Sequence, residues 1–238
     1  MCRLKHSMHF QVALLCCIFT AHAVGQEAKT EVLSPSSGKG AIAVVLSSNA
    51  GPSAHRAFAQ QLASAGYYVV LADGRDFLIA LGSGDFRGAN GASELRRIIS
   101  DAQTAAQARP GKAAVVGFAI GGGAALKHAA TAPDIVAATV VMYPNLKPLG
   151  SDIAGLAAQL RTPALVLAGE KDTVCCHAGS MQAFAAAPKA APFEFTSFPG
   201  SGHAFDVQGT DTYVAADAQA AGKQAIEFLN RLHPPAVR

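Results

Sequence analysis

The chain contains no tryptophan, aromatic residues make up 7 %, and charged residues make up 15 %. So few charges, against 50 % apolar residues, exclude a disordered polyelectrolyte and fit a chain that folds around a core. The net charge is only +3 and the basic residues are scattered, so neither nucleic acid nor an anionic membrane is expected as a partner. No group of His, Cys, Asp or Glu has metal-ligand spacing, and neither a metal nor a cofactor is expected. Internal repeats and low-complexity tracts are missing too. The stretch between residues 145 and 152 is too short to carry a lid domain.

Long apolar runs are also missing. Val12–Thr20 is the main one near the start, too short to span a bilayer comfortably. Arg3 and Lys5 precede it, Ala21-His22-Ala23 follows it, and no acidic residue interrupts it. This is the pattern of a signal peptide over residues 1–25, followed by a polar lead-in over 26–40. A secreted or periplasmic mature protein is expected, with no membrane partner once the signal is removed. Cys175 and Cys176 are then the remaining cysteines. They are a vicinal disulfide, two free thiols or an intermolecular bridge.

What the chain has is alternation. Short β-rich apolar runs take turns with helical patterns. Strands are expected at Ala41–Leu46, Tyr67–Leu71, Ala113–Gly117, Val136–Met142, Ala164–Leu167 and Phe193–Phe198. Helices are expected at Ala54–Ala65, Ala92–Ala108, Ile120–Ala130, Ile153–Leu160, Ala178–Ala186 and Val214–Leu232, the second of them closed by Pro110-Gly111. This order implies one α/β domain over residues 41–235. It would be a three-layer sandwich with a mostly parallel, doubly wound sheet and no lid.

Residues 117–121 read Gly-Phe-Ala-Ile-Gly, between a buried strand and a small-residue helix. The spacing is that of a nucleophile elbow, a sharp turn that exposes its third residue. A generic strand–turn–helix crossover reads the same way. The third residue is Ala119, which has no nucleophilic atom. Ligands in such sheets sit at the carboxyl ends of the strands. The polar residues expected there are Ser47, Ser48, Asn49, Asp73, Arg75, Tyr143, Glu170, Asp172 and His203. Elbow, acid and histidine occur in the order used by α/β-hydrolases.

These motifs resemble the dienelactone hydrolase family across roughly residues 40–235. The elbow Gly117-Phe118-Ala119-Ile120-Gly121-Gly122 is similar except at its third position, and Gly169-Glu170-Lys171-Asp172 and Gly202-His203-Ala204-Phe205 match the acid and histidine loops. The segment from Arg56 to Tyr67 resembles the family's first helix and turn. The resemblance implies the α/β-hydrolase fold, with a small carboxylic ester or lactone as substrate. It makes His203 the general base and Asp172 its partner, with Glu170 in reserve. Backbone N–H groups of Ile120 and of the Ser48–Asn49 turn would form the oxyanion hole. Arg75 and Tyr143 are the candidate substrate contacts. The chain departs from the family at Ala119, and no arginine follows His203 before Arg231. The expectation is therefore either a hydrolase whose acyl-enzyme chemistry is impaired or a ligand-binding pseudoenzyme. Cys175 and Ser201 are the nearest displaced nucleophiles in the sequence.

Overall fold

A computed structural model describes residues 29–77, 91–150 and 152–236 of the chain. The signal-peptide segment lies outside the described residues. Seven strands form one sheet: β1 (Thr30–Leu33), β2 (Gly40–Leu46), β3 (Tyr68–Ala72), β4 (Ala108–Phe118), β5 (Val136–Met142), β6 (Ala164–Gly169) and β7 (Phe193–Phe198). The strand order is β1-β3-β2-β4-β5-β6-β7. All neighbours pair in parallel except β1 and β3, which are antiparallel.

The central strands are apolar without alternation because both their faces are covered. Val44, Leu46, Val70 and Val115 face one side, against α2 (Gly91–Gln103), α3 (Ile120–Thr131), α4 (Ile153–Ala158) and α5 (Ala178–Ala186). Ala43, Val45, Val69, Val116 and Phe118 face the other, against α1 (Arg56–Ser64) and α6 (Ala215–Leu232). These side chains are almost wholly removed from water. Burying each large one contributes about 1.5–3 kcal/mol, so the sheet is the stable platform on which its loops are held.

The differences from the expected elements have local causes. The 26–40 lead-in contains β1, whose residues alternate exposed and half-buried, as an edge strand with one solvated side does. Its Glu31 accepts a hydrogen bond from Arg56 of α1 at 2.7 Å. Helix α2 ends at Gln103, earlier than expected, and Pro110-Gly111 lies inside β4 rather than closing the helix. There β4 runs along β2 with an irregular register, where a missing proline N–H is tolerated. The first helix is preceded by a 3-10 turn, Pro52–His55, of which His55 is buried. Between β5 and α4 there is one 3-10 turn, Lys147–Leu149.

Candidate active site

Strand β4 turns into α3 within one residue, Ala119, at φ 48° and ψ −110°. Positive φ is unfavourable for a residue with a Cβ and costs on the order of 1–3 kcal/mol. Two features hold it. The Ala119 N–H donates to the Met142 carbonyl at 3.0 Å, and its carbonyl accepts from Asn145 N–H at 2.7 Å. The glycines around it let backbone touch backbone. A Cβ on Gly117 would collide with the Gly121 carbonyl, and one on Gly121 with the carbonyls of Leu46 and Ser47. A Gly121→Ala variant is therefore expected to lose about 3 kcal/mol or more of stability in urea unfolding. Gly179→Ala, where nothing lies within 4 Å of the new methyl, is expected to be neutral or slightly stabilising. Equal losses in the two variants would dismiss this account of the bend.

Among the described residues, the non-glycine positions with positive φ are Ala119, Tyr143 (40°) and Ala204 (56°). Each stands at or just beyond the carboxyl end of a strand or beside His203. Strain of this kind concentrates where a site must be shaped. The Tyr143 ring packs edge-on against His203, centroids 4.9 Å apart, and lies 6.2 Å from Phe118, the residue before Ala119. The histidine loop and the elbow are thus linked through one aromatic side chain.

His203 Nδ1 is 2.8 Å from Asp172 Oδ2. Oδ1 of the same carboxylate accepts from the backbone N–H groups of Val174, at 2.9 Å, and Cys175, at 3.3 Å. Burial acts to raise the Asp172 pKa, but the His203 hydrogen bond and these two N–H donors outweigh it and hold the carboxyl below its ordinary value. An ionised Asp172 fixes the proton of His203 on Nδ1 and leaves Nε2 as the basic atom.

Ile120 opens α3, so its N–H has no acceptor within the helix. Leu46 of β2 lies beside Gly117 of β4, which sets the Ser47–Ser48 turn alongside Phe118 and Ala119. Ser48 is buried and Asn49 exposed. The expected oxyanion donors thus flank the elbow from two elements.

Other expected residues stand elsewhere. Arg75 is engaged by Asp73 of its own turn, with Nε 2.9 and 3.1 Å from the two carboxylate oxygens. As a substrate clamp it would first have to leave that partner. Glu170 accepts from Ser197 at 2.6 Å, away from His203. Ser201 donates to Asp217 of α6 at 2.6 Å, which turns its hydroxyl away from the imidazole. Cys175 and Cys176 form a vicinal disulfide. Cys175 Sγ is 3.7 Å from His203 Nδ1, the nitrogen that faces Asp172, so the sulfur sits on the wrong side of the ring to be activated by Nε2.

Asp172, Cys175, Cys176 and His203 offer ligand atoms all within 4.8 Å of one another. Linear spacing hides this cluster because the histidine comes from a separate loop. Joined as a disulfide, the sulfurs hold no thiolate, and only a carboxylate and an imidazole remain as strong ligands.

Sequence reasoning missed His55 and Asp206. His55 is 1 % exposed and stacks on Phe118, centroids 4.0 Å apart. Its Nε2 is 2.9 Å from Ser48 Oγ. Its Nδ1 is 3.9 Å from Asp206 Oδ2, and Asp206 Oδ1 accepts from the Tyr143 hydroxyl at 2.5 Å. Burial lowers the His55 pKa to about 4 and raises that of Asp206. The signal available beforehand was a histidine in a turn at the carboxyl end of a strand. A cleft of about 920 Å³ between α1 and α6 reaches Asp206, lined also by Ser53, Phe58, Met142, Tyr213 and Lys223.

A strained elbow at the end of a central parallel strand, with a His–Asp pair on the loops that follow, defines an α/β-hydrolase. A profile of the dienelactone hydrolase family matches residues 29–233, and the chain belongs to that family. Among solved structures, a candidate dienelactone hydrolase from Klebsiella pneumoniae superposes with a TM-score of 0.68 at 19 % identity, covering 87 % of this chain and 100 % of that one. Est1E from Butyrivibrio proteoclasticus superposes with a TM-score of 0.65 at 14 % identity, covering 84 % of this chain and 93 % of that one. At these identities the superpositions speak to the fold. No curated protein is similar enough to count as a relative.

Proposed function

We propose that this chain binds a small carboxylic ester or lactone against its elbow, and that an acyl-enzyme at position 119 is closed to it. One observation carries the reading: Ala119 keeps the strained elbow conformation while His203 and Asp172 keep their hydrogen bond. The backbone donors need no nucleophile to polarise a bound carbonyl. A methyl group cannot attack that carbonyl. His203 is left with water as the only partner it can activate, and turnover is slow. Without covalent chemistry at the elbow, the site is closer to a binding pseudohydrolase than to a working esterase. The vicinal disulfide and the signal-like first 25 residues support a place outside the cytosol.

A panel of short acyl esters and small lactones tests this. Ligands are expected to raise the melting temperature, by mass action on the folded state, while product forms slowly. Fast hydrolysis by the unaltered chain, abolished by His203→Ala, would refute the reading, as would a panel in which nothing stabilises the fold.

A further inference from the structure

Ser48, His55 and Asp206 lie in a row beside the elbow: Oγ to Nε2 is 2.9 Å, and Nδ1 to Oδ2 is 3.9 Å. We propose that Ser48 is a displaced nucleophile of this site, with His55 as its general base and Asp206 as the residue that positions His55. The proposal rests on the reading that esters or lactones bind at the elbow, and it adds covalent chemistry which that reading lacks.

The proposed chemistry requires one tautomer of His55. Ser48 Oγ already accepts from the backbone N–H of Ala50 at 3.2 Å. As a general base His55 takes the tautomer in which Nε2 is unprotonated and accepts the Ser48 O–H. In that tautomer the proton sits on Nδ1, which is buried with no hydrogen-bond partner. It is directed toward Asp206 Oδ2, and a shortening of about 1 Å would complete a hydrogen bond. A buried unpaired N–H is costly, and structures keep such groups where they are used. His55 cannot swing away, since its ring is fixed flat on Phe118 at an interplanar angle of 18°.

The three residues come from three elements: the end of β2, the 3-10 turn before α1 and the loop after β7. They converge because the register of β2 and β4 puts the Ser48 turn beside Ala119. The reaction balances without any external redox partner. Ser48 Oγ attacks the carbonyl carbon while its proton moves to His55 Nε2. The tetrahedral intermediate expels the alkoxide, which takes that proton from His55 and leaves an acyl group on Ser48. Water then gives a proton to Nε2, attacks the acyl carbon and releases the acid, and the proton returns to Ser48 Oγ.

The test is labelling by an alkyl fluorophosphonate, in which the serine oxygen displaces fluoride on phosphorus. The labelled peptide is mapped by mass spectrometry, in parallel with hydrolysis of p-nitrophenyl acetate. Label is expected on Ser48, lost in Ser48→Ala, and slowed at least about a hundredfold in His55→Phe, which keeps the ring stack. Ser48→Cys, expected to fold alike, should react with iodoacetamide faster than the Ser48→Cys/His55→Phe double variant. Melting curves with ester report binding separately. Ester stabilisation that persists in Ser48→Ala, with hydrolysis unchanged, overturns the Ser48 proposal and leaves the binding reading standing. Label on Ser48 without any ester stabilisation keeps Ser48 and overturns the binding reading. Label on another residue, or on none, overturns the Ser48 proposal.

Discussion

Replacing Ala119 by serine or cysteine is expected to raise short-chain ester hydrolysis at least about a hundredfold. Removing one member of a working triad costs about 10⁴ in rate, so restoring the one missing atom should recover a sizeable part of it. The elbow bends through backbone contacts at Gly117 and Gly121, not through the side chain at position 119. A serine or cysteine would therefore inherit the same φ of 48°, at a position that is itself buried. His203, the base it would use, keeps the Asp172 hydrogen bond that fixes the imidazole proton on Nδ1. Adding His203→Ala to the active variant should abolish the gain, while Ser48→Ala should leave most of it. A folded Ala119→Ser or Ala119→Cys protein with no gain would show that the base and the elbow are not aligned.

Stability is expected to fall steeply as pH drops from about 6.5 to about 4. Burial lowers the pKa of both His55 and His128 from 6.5 to about 4. For His128 the hydrogen bond to the Phe77 carbonyl, 3.0 Å away, acts against burial, and Arg96 and Lys127 act with it. In this window the unfolded chain takes up protons that the folded chain refuses. The unfolded state therefore gains as pH falls, by about 1.4 kcal/mol per pH unit for each histidine. Over the full window that is about 3 kcal/mol each, a large share of a typical folding free energy. His233, also lowered by burial, adds to the slope. Asp206, raised by burial, acts in the opposite direction. Asp172, held low, adds its own loss only in more acidic solution. Urea unfolding measured at several pH values gives the slope. A His128→Leu variant should reduce it by about one proton's worth, whatever its stability at neutral pH. A flat profile across the window would contradict the neutral buried state of both rings.

Much of this architecture could be read in the sequence because it is periodic. Central strands such as Val136–Met142 are buried on both faces, and uninterrupted apolar runs reveal that. The elbow was legible through Gly117 and Gly121 taken with the acid and histidine motifs that follow in order, since a generic crossover has the same glycines. Edge features were harder. β1 is only four residues long and held on one side only, too short for its alternation to stand out. The chain path at Pro110-Gly111 reads as a stop, but a strand accepts both residues where its register slips. Side-chain partnerships were the least legible. Arg75 next to Asp73, or Ser201 aimed at Asp217, depends on rotamers that no pattern encodes. His55 and Asp206 are separated by most of the chain, and only the sheet brings them together.

Tyr143 gives the site a property that neither histidine has alone. The edge of its ring meets His203, and its hydroxyl holds the carboxylate that faces His55. Its N–H donates to the Leu167 carbonyl of the next strand. A side chain pinned at both ends works as a crossbar between two proton-handling groups. Tyr143→Phe, which removes the hydroxyl alone, would leave the Asp206 carboxylate without that donor and keep the ring contact with His203.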